Sequence, residues 1–261
     1  MAEKLLEITD LSVDYGADTV VRNVSLSIGR GEIGCIVGES GSGKTTLLKA
    51  ICGVEAQVHI GSGSVCFDGR EVSAMSPKER RQMLGHEIGV ISQNPSGAFN
   101  PLRKFDVQFK ETLRSHGMEY NQQEILDLFE RIGLEDGASI LKSRPFEMSG
   151  GMNQRIAIAA VMLLQPKLLL CDEPTSALDV TSANLVVDLL CECRKVRNVG
   201  ILMVTHNLGI AQKMADCVGI MKAGELIETQ CCCDIFKAPQ KAYTKQLIAD
   251  VPKLVGCEHE E

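Results

Sequence analysis

A glycine-rich segment from Gly38 to Thr45, with the sequence GESGSGKT, has the spacing of a loop that binds phosphate groups. The apolar run Ile33–Val37 precedes it and a helical pattern follows it, which is the context that such a loop requires. Its glycines let backbone N–H groups turn inward around an anion, and the N-terminus of the following helix adds a positive dipole. We expect Lys44 to reach the β- and γ-phosphates and the Thr45 hydroxyl to ligate Mg²⁺. The nucleotide-binding residues expected in this segment are Gly38, Ser40, Gly41, Ser42, Gly43, Lys44, Thr45 and Thr46.

Two adjacent carboxylates, Asp172 and Glu173, come directly after a second apolar run, Leu168–Cys171, about 130 residues further along the chain. Asp172 is expected to hold Mg²⁺, and Glu173 is expected to act as general base toward the attacking water. By itself this pattern also fits a buried strand that ends at an acidic turn. The glycine-rich segment alone indicates only nucleotide binding, because kinases, GTPases and helicases share it; the acidic pair adds a catalytic strand.

Further motifs resemble those of the ABC transporter family of ATPases, and they follow that family's order along nearly the whole chain. Met148–Arg155, with the sequence MSGGMNQR, resembles the ABC signature and lies shortly before the acidic pair. Gln93 resembles the Q-loop glutamine, Ser176–Asp179 the D-loop and His206 the switch histidine. Tyr15 resembles the aromatic residue on which adenine stacks. The resemblance implies an ATPase that uses ATP and Mg²⁺.

The resemblance also implies a site shared between two subunits. The signature Ser-Gly-Gly would cap the γ-phosphate of ATP bound to a second subunit, so that two subunits enclose two nucleotides. Free N–H groups at the start of a helix suit that role, although the same three residues alone also fit a plain helix cap. His206 would hold Glu173 and the water in place, whereas a lone histidine after a strand is more often structural. The residues assigned in this way are Ser149, Gly150, Gly151, Asp179 and Tyr15 for the nucleotide, Gln93 and His206 for catalysis, and Gln93 also for the metal.

Three segments resemble the ATPase subunits of peptide and nickel importers. Gln93–Leu102 is similar to their extended Q-loop, Pro145–Met152 looks closest to the nickel-type subunit, and Ala238–Thr244 is similar to their Pro-x-His-Pro-Tyr-Thr segment. The implied partners are a second ATPase subunit that is a different chain, two membrane permease subunits and, indirectly, an extracytoplasmic substrate-binding protein. The implied cargo is nickel, another metal chelate or peptides. The implied location is the cytoplasmic face of the inner membrane, where the chain is peripheral.

Composition separates this interpretation from the main alternative, a soluble ABC-type ATPase that acts on nucleic acid or ribosomes. The formal net charge of −7 argues against nucleic acid as a partner, because nucleic-acid-binding domains usually carry a basic face.

The longest apolar run, Ile156–Leu164, has nine residues, whereas a transmembrane helix needs about 20. The N-terminus lacks the apolar region of a secretory signal, which predicts a cytosolic chain. The 11 cysteines lack the CxxC spacing of zinc sites, although Cys231–Cys233 leave a metal or cluster open.

The elements that must hold these motifs alternate between strand and helix, which predicts an α/β fold with a largely parallel, covered sheet. Given the resemblance, we expect a P-loop NTPase with a RecA-like core, an N-terminal antiparallel β part and a helical signature subdomain. The whole chain, residues 1–261, would be a single ABC ATPase domain. Within it, residues 1–93 and 166–235 would form the ATP-binding core, 94–165 the helical subdomain and 236–261 a C-terminal tail.

Overall fold

Two β-sheets with helices around them make up the described part of the chain. The computed structural model describes residues 3–53, 55–94 and 97–250. In chain order the strands are β1 (Lys4–Tyr15), β2 (Asp18–Gly29), β3 (Ile33–Val37), β4 (Val58–Phe67), β5 (Arg70–Glu71), β6 (Ile88–Ile91), β7 (Leu168–Asp172), β8 (Gly200–Thr205), β9 (Cys217–Lys222) and β10 (Glu225–Cys231). The helices are α1 (Lys44–Cys52), α2 (Pro77–Met83), α3 (Phe105–Ser115), α4 (Gln122–Arg131), α5 (Gly137–Lys142), α6 (Gly150–Leu163), α7 (Val180–Arg197), α8 (Leu208–Met214), α9 (Cys232–Lys237) and α10 (Ala242–Ala249), with a 3₁₀ turn at Pro145–Glu147.

The larger sheet determines where the motifs meet. Its strand order is β10-β9-β3-β8-β7-β6, and all neighbours in it are parallel except β10, which runs antiparallel to β9. The smaller sheet is antiparallel, with the order β2-β1-β4-β5. Because β3, β8, β7 and β6 are parallel neighbours, the segments that follow them lie at one edge of the sheet. Ligands of open α/β sheets bind at that edge.

The larger sheet is covered on both faces. All five residues of β3 are buried. Ile33, Cys35 and Val37 pack into an apolar cluster with α3 to α9, while Ile36 packs into a second cluster with α1 and the smaller sheet. Side chains alternate between the two faces of a strand, so a strand between two apolar layers carries an unbroken apolar run. This arrangement explains why β3, β7 and β8 consist almost wholly of apolar residues.

The helices between β6 and β7 have an apolar centre of their own that is rich in phenylalanine. Phe105, Phe109 and Phe129 are buried, and the rings of Phe109 and Phe129 meet edge-on with centroids 5.8 Å apart. Phe99 is half-buried and packs edge-on against Phe105, with centroids 5.1 Å apart. Aromatic pairs prefer this geometry. The segment is therefore a packed helical unit, while its exact limits at 94–165 stay a prediction.

Most of the predicted elements are confirmed, including the parallel sheet, the N-terminal antiparallel sheet and the helical segment. Two elements escaped the sequence analysis. Strand β6 is only four residues long and is interrupted by Gly89, so its pattern resembles a loop. Helix α2 has a detectable signal that was missed: Ser76 and Glu79 form a capping box, and Pro77 stands at the first helical position. The signature helix begins at Gly150, directly after its N-cap Ser149.

Candidate active site

The glycine-rich segment forms the loop between β3 and α1, at the edge where the parallel strands end. A pocket opens beside it and brings together most of the residues predicted to bind ATP or to catalyse its hydrolysis. The pocket is lined by Val20, Ser40, Gly41, Gly43, Lys44, Thr45, Thr46, Gln93, Glu173 and His206. Val20 was not predicted; it comes from β2, and its place beside the loop depends on long-range packing rather than on any local pattern.

Two glycines of the loop are required by its backbone. Gly43 has a φ of 101° and stands directly before α1, a conformation that L-residues rarely adopt. A Cβ on Gly38 would lie 2.2 Å from the carbonyl oxygen of Met221 in β9. The Gly224 N–H, from the turn after β9, also donates to the Ser42 carbonyl at 3.0 Å. The β9–β10 hairpin therefore supports the loop from behind.

Lys44 lies at the centre of the loop and is almost completely buried. Its ammonium donates to the carbonyl oxygens of Gly38 and Glu39, both at 2.7 Å, and to the Ser42 hydroxyl at 3.3 Å. Burial lowers the pKa of Lys44, while the nearby carboxylates of Glu173 and Asp172 oppose that shift. The loop thus holds a cation whose attraction for an anion is screened little by solvent.

Thr45 and Asp172 meet although they are far apart in the chain. The Thr45 hydroxyl, on the first turn of α1, donates to Asp172 Oδ1 at 3.0 Å. Burial raises the pKa of Asp172, and the charge of Glu173 adds to this, while the Thr45 hydrogen bond and Lys44 act in the opposite direction. A hydroxyl and a carboxylate side by side are hard oxygen donors of the kind that Mg²⁺ prefers. The donor set therefore fits the metal expected from the sequence.

Glu173 is held by two of the predicted catalytic residues. Gln93 Nε2 donates to one carboxylate oxygen at 3.1 Å, and His206 Nδ1 lies 2.9 Å from the other. A carboxylate only accepts hydrogen bonds, so Nδ1 carries the shared proton and leaves Nε2 unbonded to Glu173. The Glu173 side chain is 14% exposed, whereas that of His206 is 61% exposed and extends into the pocket. Such a carboxylate is suited to accept a proton, and its two partners fix its orientation.

The backbone at Glu173 explains how the carboxylate reaches this place. Its φ is 46°, in the left-handed region, and its N–H donates to the Val204 carbonyl of β8 at 2.9 Å. A non-glycine residue in this region costs about 1–3 kcal/mol and persists only where its surroundings enforce it. The strand therefore ends at Asp172, and the chain turns so that both carboxylates face the same pocket region.

The remaining predicted nucleotide residues lie outside this pocket. The Ser149 hydroxyl caps α6 by accepting from the Met152 N–H at 3.2 Å, and Gly150 and Gly151 form the first turn of that helix. The Asp179 carboxylate caps α7 by accepting from the Ser182 N–H at 3.0 Å. The Tyr15 hydroxyl donates to Gln57 Oε1 at 2.7 Å. Helix capping is thus what Ser149 and Asp179 do within one chain, and their role toward ATP stays a prediction.

Gln154 connects three parts of the site, and the sequence analysis missed it. It lies one turn into α6 and is 1% exposed. Its Nε2 donates to the carbonyl oxygens of Ser92 and Pro174, both at 3.2 Å. These are the residues just before Gln93 and just after Glu173. A buried glutamine in an apolar helix segment was the available signal, because a buried amide needs hydrogen-bond partners.

Neither Asn207 nor the cysteine run adds a group to this pocket. Asn207 follows His206, and its side chain caps α8 by accepting from the Ile210 N–H at 3.2 Å. Cys231 ends β10, and the next two cysteines begin α9. Within residues 3–53, 55–94 and 97–250, no three His, Cys, Asp or Glu side chains are grouped so as to hold a metal ion. Among the described helices, none has the length and apolar character needed to cross a bilayer.

Comparison with known proteins agrees with this geometry. The family model described as ABC transporter matches residues 21–176. The oligopeptide transport ATP-binding protein OppD of Lactococcus lactis subsp. cremoris (strain SK11) is 37% identical over 260 residues, which cover 96% of this chain and 77% of that protein. The dipeptide transport ATP-binding protein DppD of Escherichia coli (strain K12) is 35% identical over 257 residues, which cover 95% of this chain and 79% of that protein.

Among solved structures, the dimeric ATP-binding cassette MJ0796, bound to ADP and Pi in a post-hydrolysis state, has a TM-score of 0.78 to this chain. The match covers 87% of this chain and 99% of that one at 24% identity, so it shows a common fold. The family model spans more than half of the chain, and the two relatives are more than 30% identical to it over the matched residues. The chain therefore belongs to the ABC transporter family, and it is an ATP-binding member that hydrolyses ATP in connection with transport.

Proposed function

We propose that this chain is the ATP-hydrolysing subunit of an importer that takes up peptides. The observation that carries the proposal is the arrangement at Glu173, whose carboxylate is held between Gln93 and His206 beside a phosphate loop with a buried Lys44. Peptide is the favoured cargo because relatives that match nearly the whole chain are named as oligopeptide and dipeptide transport proteins. Nickel or another metal chelate rests only on the resemblance of Pro145–Met152 to the nickel-type subunit.

Each residue of the pocket would have its own role in binding or hydrolysing ATP. Lys44 and the loop N–H groups would bind the phosphates, and Thr45, Asp172 and Gln93 would hold Mg²⁺. Mg²⁺, when bound there, would supply positive charge that offsets the charge developing on the phosphate groups. Glu173 would accept a proton from the attacking water, because its carboxylate lies at the pocket and is oriented from both sides. His206 keeps Nε2 free toward the pocket, where it would contact the γ-phosphate.

We further infer that a second ATPase subunit completes the site. Ser149, Gly150 and Gly151 lie at the N-terminus of α6 and outside the chain's own pocket, so they can meet a phosphate only across an interface. A Cβ on Gly151 would lie 3.3 Å from the Ala177 carbonyl, which places the D-loop beside the signature on one surface. Asp179 would belong to that surface, and Tyr15 would stack on the base. The similar fold of a dimeric cassette supports this arrangement, and the second subunit would be a different chain.

The remaining partners follow from the same proposal. Two membrane permease subunits would dock near the segment from Gln93 to Leu102, and a substrate-binding protein would act from outside the membrane. The chain would then lie at the cytoplasmic face of the inner membrane. We keep the division into a core (1–93 and 166–235), a helical subdomain (94–165) and a tail (236–261) as part of this proposal.

Reconstitution tests the function and the cargo together. Membrane proteins that co-purify with the tagged chain would be placed in liposomes, and uptake of labelled peptides and of radioactive nickel would be measured with ATP inside or outside. A complex that carries Glu173→Gln is the matched control, since it keeps the assembly but removes the base. Peptide uptake that needs ATP and Glu173 supports the proposal. Nickel uptake without peptide uptake would refute the cargo, and hydrolysis stimulated by RNA or ribosomes instead of membrane partners would refute the transport role.

A further inference from the structure

Two cysteines face each other across the β9–β10 hairpin. Cys217 begins β9 and Cys231 ends β10, and they are direct partners in the antiparallel register of these strands. Directly opposed residues have side chains on the same face of a sheet, with Cβ atoms about 4.5–5.5 Å apart. Both cysteines are free thiols in this structure.

The hydrogen-bond pattern shows which kind of opposed pair they form. The Cys232 N–H donates to the Asp216 carbonyl oxygen at 2.9 Å, so Cys232 and Asp216 occupy a hydrogen-bonded pair position. Positions alternate along an antiparallel ladder, so the neighbouring Cys217–Cys231 pair is not hydrogen-bonded. In such pairs the Cα atoms are about 4.5 Å apart and the side chains approach most closely. A disulfide needs Cα atoms about 4.4–6.8 Å apart, a range that includes the usual spacing of such a pair.

The other cysteines nearby are oriented differently. Cys232 extends toward the opposite side, where its thiol contacts the Ala211 carbonyl of α8 at 3.6 Å. The thiol of Cys233, on α9, lies 3.5 Å from Asp234 Oδ1. Cys35 and Cys171 are wholly enclosed by the core. Among the cysteines that the structure describes, Cys217 and Cys231 are the pair directly opposed across neighbouring strands, and Cys231 is exposed to solvent.

We propose that Cys217 and Cys231 form a reversible disulfide in the folded protein and that a hydroperoxide is the oxidant. The exposed Cys231 reacts first: its thiolate attacks the O–O bond, gaining one oxygen as a sulfenic acid while the hydroperoxide is reduced to an alcohol or water. Cys217 then attacks the sulfenic sulfur, the S–S bond forms, and the hydroxyl leaves as water with the thiol proton. The net change is loss of two electrons and two protons from the dithiol.

The order of these steps follows from the surroundings of the two thiols. Burial raises the pKa of Cys217 to about 11, and the nearby Glu32 and Asp216 add to the shift. Cys217 is therefore a poor first nucleophile, and it acts as the resolving thiol at a short distance. A thiol reductant reverses the reaction through ordinary thiol–disulfide exchange.

Peptide mapping tests the proposal on the full chain. The folded protein is treated with hydrogen peroxide, free thiols are alkylated under native conditions, and the non-reduced protein is digested with trypsin. Cleavage after lysine separates Met214–Lys222, which contains Cys217, from Ala223–Lys237, which contains the three consecutive cysteines. We expect these peptides to be joined, with a mass two hydrogens below their sum, and to separate after treatment with a reductant.

Three single variants assign the partner of Cys217. Cys231→Ser should abolish the linked peptides, whereas Cys232→Ser and Cys233→Ser, the matched controls, should retain them. A link that persists in Cys231→Ser would overturn the proposal. So would the absence of any link in the wild-type protein while Cys231 becomes oxidised to the sulfinic acid; this measurement does not depend on the folding of any variant.

Discussion

Replacing Gln154 by methionine removes the two hydrogen bonds that join the signature helix to both catalytic loops, while the side chain keeps nearly the same length. Gln154 Nε2 donates to the carbonyl oxygens of Ser92 and Pro174, both at 3.2 Å. Methionine fills irregular spaces in a core but offers neither donor. The substitution therefore leaves the carbonyl groups of Ser92 and Pro174 without this partner and creates no large cavity.

The effect on stability can be worked from these contacts. A neutral hydrogen bond contributes about 0.5–1.5 kcal/mol net, so the loss of two amounts to about 1–3 kcal/mol. Gln154 Oε1 is buried and has no hydrogen-bond partner among the described residues. Methionine removes that unpaired acceptor, which offsets part of the loss and brings it to about 1–2 kcal/mol. For a chain of this size, the melting temperature should fall by about 2–8 °C.

The effect on hydrolysis should be larger than this stability change suggests. Ser92 precedes Gln93, and Pro174 follows Glu173, so the freed carbonyl groups belong to the segments that carry these catalytic side chains. A displacement of about 1 Å in a reacting group can reduce the rate about 100-fold. We expect kcat for ATP to fall by about 10- to 100-fold at a temperature at which the variant is fully folded, with ATP affinity nearly unchanged.

Gln108→Met is the matched control. Gln108 is also a buried glutamine, and its Nε2 donates to the carbonyl oxygens of Asn100 and Arg103 at 3.1 and 2.8 Å. It lies on α3 and also accepts from the Asn100 N–H at 2.7 Å. Its hydrogen bonds thus go to Asn100 and Arg103 and not to Ser92 or Pro174, the residues next to Gln93 and Glu173. Thermal unfolding and a phosphate-release assay would be run on both variants. The reasoning fails if Gln154→Met keeps wild-type kcat, or if Gln108→Met lowers kcat to the same extent.

Four other substitutions test the remaining assignments. Glu173→Gln should keep ATP affinity but slow hydrolysis by about 100- to 10,000-fold, as measured by binding of a fluorescent ATP analogue and by phosphate release; wild-type turnover would contradict the role of the base. Burial raises the pKa of Asp172 in the folded chain. Its ionised form therefore destabilises the fold at pH values above that pKa. This effect is absent at pH values below the pKa of the unfolded chain. Asp172→Asn should therefore melt higher at pH 7, with a gain that shrinks toward about pH 4, and should lose Mg²⁺-dependent hydrolysis; a lower melting temperature at pH 7 would refute this. In the complex with the second ATPase subunit, Ser149→Arg should inactivate the site whose phosphate loop the partner supplies and leave the site of this chain's own Lys44 active, and Lys44→Ala should do the reverse. Loss of the same site in both variants would contradict the shared site.

Much of the fold could be predicted because its signals are local. Ile33–Val37 and Leu168–Cys171 are apolar runs that end in glycines or acids, and both are buried parallel strands. The turn at Asp68–Gly69 joins β4 to β5, and an Asp-Gly pair is itself a local hairpin signal. Strand β6 lacks such a signal because its four residues are specified by pairing with β7, about 80 residues later in the chain. Sequence patterns cannot show a partner at that distance.

The residues of the candidate site likewise fall into two groups, those with a local signal in the sequence and those without a clear one. The phosphate loop, the acidic pair, Gln93 and His206 have recognisable neighbours in the sequence, and the structure brings them to one pocket. Val20 has no such neighbours, and the signal at Gln154, a glutamine within an apolar helix segment, does not show what it contacts, because both places depend on how β2 and α6 pack against the loop and the larger sheet. A side chain can donate to the backbone carbonyl of any residue type. Such a hydrogen bond to a distant residue therefore leaves no recognisable pattern in the sequence.

The acidic pair shows why the backbone, as well as the side chains, must be specified. Successive residues of a strand point to opposite faces, so an extended Asp172–Glu173 would direct one carboxylate away from the loop. The left-handed φ of 46° at Glu173 prevents this, and the hydrogen bond from its N–H to Val204 on β8 holds that conformation. Asp172 then faces Thr45, and Glu173 faces Gln93 and His206. The adjacent carboxylates of Asp172 and Glu173 are thereby suited to different roles, Asp172 as an oxygen ligand and Glu173 as a base. Strand β8 contributes to this difference because its Val204 carbonyl accepts the hydrogen bond that holds the turn at Glu173.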